Sequence, residues 1–244
     1  MAGNYQKNVT VMIGSNEDDG LVLTTSLITD PSLYLLYRLI LQKHPDLSQK
    51  HFLFARSLWS VIAPGILFHI PVENSNLEAS QKASALADFY LNGTNNIRPE
   101  NFDIITDMFT DAFVTFAVEC FVTHAKLSQT VYQYRYSHLG QFGLNTDDGL
   151  PKYGVNHADE LYLMWNPLYY QDRTLDDNDQ QMSDVLLKAW STFIKSGVPE
   201  VDGVDWSPIS VANNQYLLLD NSPKMERSQD YEDKMNFWRH LFPC

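Results

Sequence analysis

Tyr153–Trp165 reads YGVNHADELYLMW. Gly154 opens a turn that carries one histidine, His157, and two carboxylates, Asp159 and Glu160, stand between it and an apolar run. An imidazole held at the mouth of such a loop suits proton transfer, because its ordinary pKa lies close to neutrality. A lone histidine is more often a hydrogen-bonded structural residue, so its chemistry depends on what the rest of the chain brings to it.

Just before this stretch, Thr130–His138 (TVYQYRYSH) alternates and is rich in β-branched and aromatic residues, the pattern of a strand. His138 at its end is a second candidate base. A loop with Gly140, Gly143, Asp147, Asp148, Gly149 and Pro151 joins the two, and loops of that composition carry sites more often than cores do. Far upstream, Lys7–Ile13 (KNVTVMI) reads as a buried strand entering the turn-rich GSNEDDG, Gly14–Gly20. Open α/β sheets place reactive groups just past the carboxyl ends of their strands, which is where the acids of this loop fall. Glu17 and Asp18 read as solvated loop charges.

Between these strands the pattern is helical. Asp30 and Pro31 open one segment, which His44 and Pro45 close; a second covers about Leu47 to Val61 and a third Asn76 to Leu91. From Glu100 to Leu127, Ile104, Ile105, Met108, Phe109, Ala112, Phe113, Phe116 and Ala117 recur at helical spacing, most simply as core. After the histidine stretch, Asp176, Asp177 and Asp179 lead into a helix whose apolar face runs from Met182 to Ile194 and which Gly197 and Pro199 stop. A short strand, Tyr216–Asp220, and a terminal helix, Tyr231–Phe242, complete the chain.

The chain has 244 residues, of which 44% are apolar, enough for one well-packed unit, and neither a repeat nor a linker-like tract divides it. A net charge of -13 excludes a polyanionic partner such as nucleic acid, since phosphate binding needs clustered Lys and Arg. The longest apolar run, Leu58–Ile70, is broken by Pro64 and Gly65 and is too short to span a bilayer. The acidic residues lack calcium-loop spacing and the two cysteines, Cys120 and Cys244, lack metal-ligand spacing. Whether those cysteines pair is open. No basic start with an apolar core marks a signal peptide, while triplets at Asn8 and Asn92 suit glycosylation of a secreted parent.

GVNHADELYLMW resembles the histidine loop of the type-B carboxylesterases, through Gly154, His157, Asp159, Glu160 and Tyr162. That family also holds juvenile hormone esterases, cholinesterases and the non-catalytic neuroligins. Its strand that runs into G-x-x-x-D-E-G is matched by Gly14–Gly20, which puts the triad acid at Asp19, here aspartate where the family usually has glutamate. Thr106, Asp107 and Phe109, the strand end Tyr136-Ser137-His138, the helix ending W-x-x-F-x-x-x-G-x-P at Trp190–Pro199, Trp206-Ser207-Pro208 and the aromatics Phe237 and Trp238 extend the resemblance over nearly the whole chain. His138 falls at a position that is not catalytic in the family, so the resemblance assigns the base to His157. Met235 stands where cholinesterases have a cysteine, which counts against their disulfide.

The resemblance implies an α/β chain: the C-terminal half of an α/β-hydrolase fold, part of a central, mostly parallel sheet with a large helical insertion. Residues 1–244 then form one unit from which the nucleophile-bearing half is absent, because no G-x-S-x-G elbow occurs in the sequence. The implied function is carboxylic ester hydrolysis by a secreted parent enzyme, with Asp19 and His157 as its acid and base, no cofactor, and a small-molecule ester as substrate. This chain alone is expected to be inactive, or to associate with its missing half or a full-length esterase. The alternative is an adhesion or binding module like the neuroligins or neurotactin, which keeps the fold without the chemistry.

Overall fold

The structure is a computed structural model that describes residues 9–29, 77–92, 102–144, 153–165 and 174–244. The helices expected over 30–44 and 47–61, the apolar run 58–70, the triplet at Asn8 and the acidic loop 145–150 lie outside the described residues. In chain order the elements are β1 (Thr10–Asn16), α1 (Leu21–Thr29), α2 (Leu77–Leu91), α3 (Phe102–Thr110), a π-helical turn (Asp111–Thr115), α4 (Phe116–Ala125), β2 (Thr130–Tyr136), α5 (Asp159–Met164), α6 (Asp177–Ser196), β3 (Tyr216–Leu219), β4 (Lys224–Glu226) and α7 (Gln229–Leu241). They fall into two compact units, one of residues 1–19 with 114–244 and one of residues 20–113.

The first unit is built on a sheet of order β1-β2-β3-β4, parallel between β1 and β2 and between β2 and β3, antiparallel at β4. The α/β class and the mostly parallel sheet expected from the sequence are therefore present. Alternation along β2 separates two cores. Tyr132 and Tyr136 join Leu217, Leu219, Met182, Leu186, Ala189 and Trp206 on the α6 side. Val131 joins Val118, Val122, Ala125 and Ile209 on the α4 side. β2 is thus packed on both of its faces, as a strand inside a mostly parallel sheet is.

β1 runs three residues further than the sequence suggests. Gly14, Ser15 and Asn16, expected in a turn, continue the ladder opposite Tyr134, Arg135 and Tyr136. A glycine serves inside the strand because the ring of Tyr134 lies where a Cβ at Gly14 would stand, 2.5 Å from it. That extension carries the chain directly to the acidic loop.

Asp176 caps α6 by accepting from the Asp179 amide at 2.8 Å, and Gly197 ends it in the left-handed conformation at φ 75°. α7 is capped by Ser228 and tied to α4 through buried Glu119, which accepts from Arg227 at 3.0 Å, Arg239 at 2.8 Å and the Tyr231 hydroxyl at 3.2 Å. Cys120 and Cys244 form a disulfide across 124 residues. Met235 is fully buried within α7, and the cysteine that fastens the C-terminal segment lies beyond that helix. A crosslink closing so long a loop restricts the unfolded chain strongly.

In the second unit Leu86, Ala83 and Ala87 of α2 are fully buried, and the Thr24 and Thr106 hydroxyls meet at 2.9 Å between α1 and α3. The single helix expected over 100–127 is instead α3, the π-helical turn and α4. Asp111, first residue of that turn, is buried and accepts from the Tyr90 hydroxyl at 2.7 Å.

Candidate active site

β1 ends at Asn16, and the next residues turn over the carboxyl edge of the sheet. Asp19 is 3% exposed, and both of its carboxylate oxygens are used. Oδ2 accepts from the Asn16 amide at 2.8 Å, and Oδ1 lies 2.8 Å from Nδ1 of His157. The sequence places these two residues far apart; the fold brings them into direct contact. An ionised carboxylate only accepts, so Nδ1 carries the proton and Nε2 is left basic. No partner meets Nε2 among the described residues, and the side chain is 57% exposed. The hydrogen bond that His157 donates to Asp19 raises the His157 pKa, burial works against it, and the charges of Asp19, Glu160 and Asp159 add to the rise.

The histidine is aimed by a tight turn. Ala158 takes a left-handed φ of 65° as the residue before α5, and the His157 amide donates to the Asn156 side chain at 2.7 Å. Asp159 is buried and braces the loop, accepting from the Asn156 amide at 2.9 Å and the Leu144 amide at 3.0 Å. Glu160 accepts from the Asn16 carboxamide at 2.6 Å; burial raises its pKa, this hydrogen bond opposes the rise, and the Asp19 charge augments it.

Glu17 and Asp18, expected as solvated charges, are engaged. Asp18 exchanges two bonds with Val155, its amide donating to the carbonyl at 3.0 Å and its carboxylate accepting from the Val155 amide at 2.9 Å. Glu17 donates from its amide to the Tyr136 carbonyl at 2.8 Å and accepts from the Ser137 hydroxyl. Sequence reasoning missed both, since partners 137 and 120 residues away leave no local signature.

His138 is built differently. Nε2 lies 2.7 Å from Asp179 and Nδ1 2.6 Å from Asn221, with side chains of histidine and aspartate only 2% and 1% exposed. Both ring nitrogens are occupied and none faces solvent. Among the described residues no cluster of three or more His, Cys, Asp or Glu is arranged to hold a metal, and no helix is long and apolar enough to cross a membrane.

A layered, mostly parallel sheet that delivers an acid from one strand end to a histidine on a later loop is a partial α/β-hydrolase fold. The chain belongs to the carboxylesterase family, whose model matches residues 1–238. It is 27% identical over 125 residues to pyrethroid hydrolase Ces2a of Mus musculus, an alignment covering 50% of this chain and 22% of that one. It is 24% identical over 195 residues to venom carboxylesterase-6 of Apis mellifera, covering 75% of this chain and 34% of the relative. Its fold is similar to the solved juvenile hormone esterase of Manduca sexta, with a TM-score of 0.69 at 15% identity, covering 98% of this chain and 42% of that one. The chain thus spans between a fifth and a half of the length of the proteins it matches.

Proposed function

We propose that this chain supplies the general base and its orienting acid to a serine carboxylic ester hydrolase. The observation that carries the reading is the 2.8 Å bond from His157 Nδ1 to Asp19, which leaves the opposite ring nitrogen open on an accessible side chain. In that role Nε2 takes the proton of a serine hydroxyl as it attacks the ester carbonyl and returns it to the departing alcohol. Water then repeats the cycle on the acyl enzyme, with Asp19 stabilising each imidazolium. These 244 residues contain no G-x-S-x-G, so in this reading the serine and its oxyanion donors come from another segment, and residues 1–244 act as the C-terminal part of one carboxylesterase domain. The substrate class is a small-molecule carboxylic ester, and the partner is a nucleophile-bearing segment or a full-length esterase. A bonded acid–histidine pair supports this reading over a non-catalytic adhesion module. Secretion and glycosylation at exposed Asn92 belong to the same proposal, supported by the Cys120–Cys244 disulfide.

The test is hydrolysis of p-nitrophenyl acetate. The chain alone is expected to match its own His157→Ala variant. Joined to the nucleophile-bearing portion of a related carboxylesterase, it is expected to gain activity that His157→Ala lowers roughly a thousandfold or more. A joined enzyme whose rate is indifferent to His157→Ala contradicts the proposal.

A further inference from the structure

Asn16 lies between the two halves of the pair described above and touches both. Its backbone amide donates to Asp19 Oδ2 at 2.8 Å. Its carboxamide nitrogen donates to the Asn156 carbonyl, the residue before His157, at 2.7 Å and to Glu160 Oε2 at 2.6 Å. A carboxamide nitrogen has two hydrogens, and here both are spent on acceptors from the histidine loop. The residue is 3% exposed, so water does not substitute for either bond.

We infer that Asn16 is a positioning residue that fastens the histidine loop to the strand bearing the acid, and so holds His157 against Asp19. The inference rests on reading Asp19 and His157 as an acid–base pair. Geometry argues for asparagine at this place. Two carboxylates, Asp19 and Glu160, converge on the same strand end, and the Asp19 charge adds to the rise that burial gives the Glu160 pKa. Asn16 sets an N–H donor against each of them. Aspartate has the shape but no side-chain hydrogens to give, and an aliphatic residue leaves the Asn156 carbonyl and Glu160 without their donor.

Removal of the carboxamide acts on His157 in one direction through two routes. The loop loses its tie, so the ring spends less time bonded to Asp19. Glu160 also loses a bond that favours its charged form, and with it part of the negative field that favours the imidazolium. The groups that set the His157 titration are Asp19, Glu160 and Asp159.

The experiment is an NMR titration of the His157 ring in the 244-residue chain, in native form and as Asn16→Ala, with and without Glu160→Gln. In Asn16→Ala, which keeps the backbone bond to Asp19, the proton affinity of His157 is expected to fall at least about threefold, and to fall in the Glu160→Gln background as well. An unchanged affinity in a folded variant overturns the inference. If Asn16→Ala does not fold, hydrogen exchange of the Asn16 carboxamide in the native chain decides: slow exchange upholds the two bonds, and exchange as fast as that of an exposed asparagine overturns them. A native His157 that titrates at the ordinary imidazole value removes the pair itself, and with it the proposed function, which is a different failure from an Asn16 substitution without effect.

Discussion

Two histidine–aspartate pairs lie in the same unit and nearly share a bond length, 2.8 Å for His157 with Asp19 and 2.7 Å for His138 with Asp179. The first has a side chain 57% exposed with an unoccupied Nε2 among the described residues; the second is sealed, with both nitrogens bonded. Bond geometry therefore does not separate a base from a brace. Access does, together with what else the aspartate holds. Asp19 is oriented by the strand end through Asn16, whereas Asp179 also accepts from the Gln141 amide at 2.8 Å and sits at the start of α6. His138 thus stitches β2, α6 and the turn at Asn221 together, whereas His157 keeps an exposed side chain, the feature on which its proposed role as a base rests.

The largest expected effect separates the pairs by activity. In the joined enzyme, Asp19→Asn is expected to lower kcat roughly ten-thousandfold through the wrong imidazole tautomer. Asp179→Asn is expected to leave kcat within about threefold wherever the protein is folded; equal losses would erase the distinction. Stability is expected to invert the order. His138→Ala strands a buried carboxylate and is expected to cost about 3–5 kcal/mol in urea unfolding, while His157→Ala breaks a partly solvated pair and is expected to cost less than about 1 kcal/mol. A smaller effect concerns pH. Burial raises the Glu160 pKa above its ordinary 4.5, so the native state holds a proton that the unfolded chain releases, and this contribution to stability is lost as pH rises from there through the native value. Glu160→Gln is expected to flatten that part of the stability profile, measured by unfolding at pH 4 to 8. An unchanged slope would show that Glu160 does not set it.

Much of this was legible in the chain. The alternation in Thr130–His138 and the β-branched run before Gly14 gave two of the parallel strands, and the stripe from Met182 to Ile194 gave α6, because each pattern follows from burial. Asp19 and His157 came from a family pattern; their contact adds what no spacing could state. The missed features depend on distant partners. Gly14 looks like a turn residue until Tyr134 is seen lying across it, and Asp18 looks solvated until Val155 is seen beside it. The three-residue β4 has too little sequence to declare itself, and the Cys120–Cys244 bridge needed the path of α7.

Because Asp19 is the leading cause of the raised His157 pKa, the most direct measurement is the midpoint of the His157 ring titration by NMR in the native chain and in Asp19→Asn. The native ring is expected to titrate above the ordinary imidazole value of about 6.5, and the variant below the native midpoint. The same midpoint in both proteins would contradict the pairing on which the proposed chemistry stands.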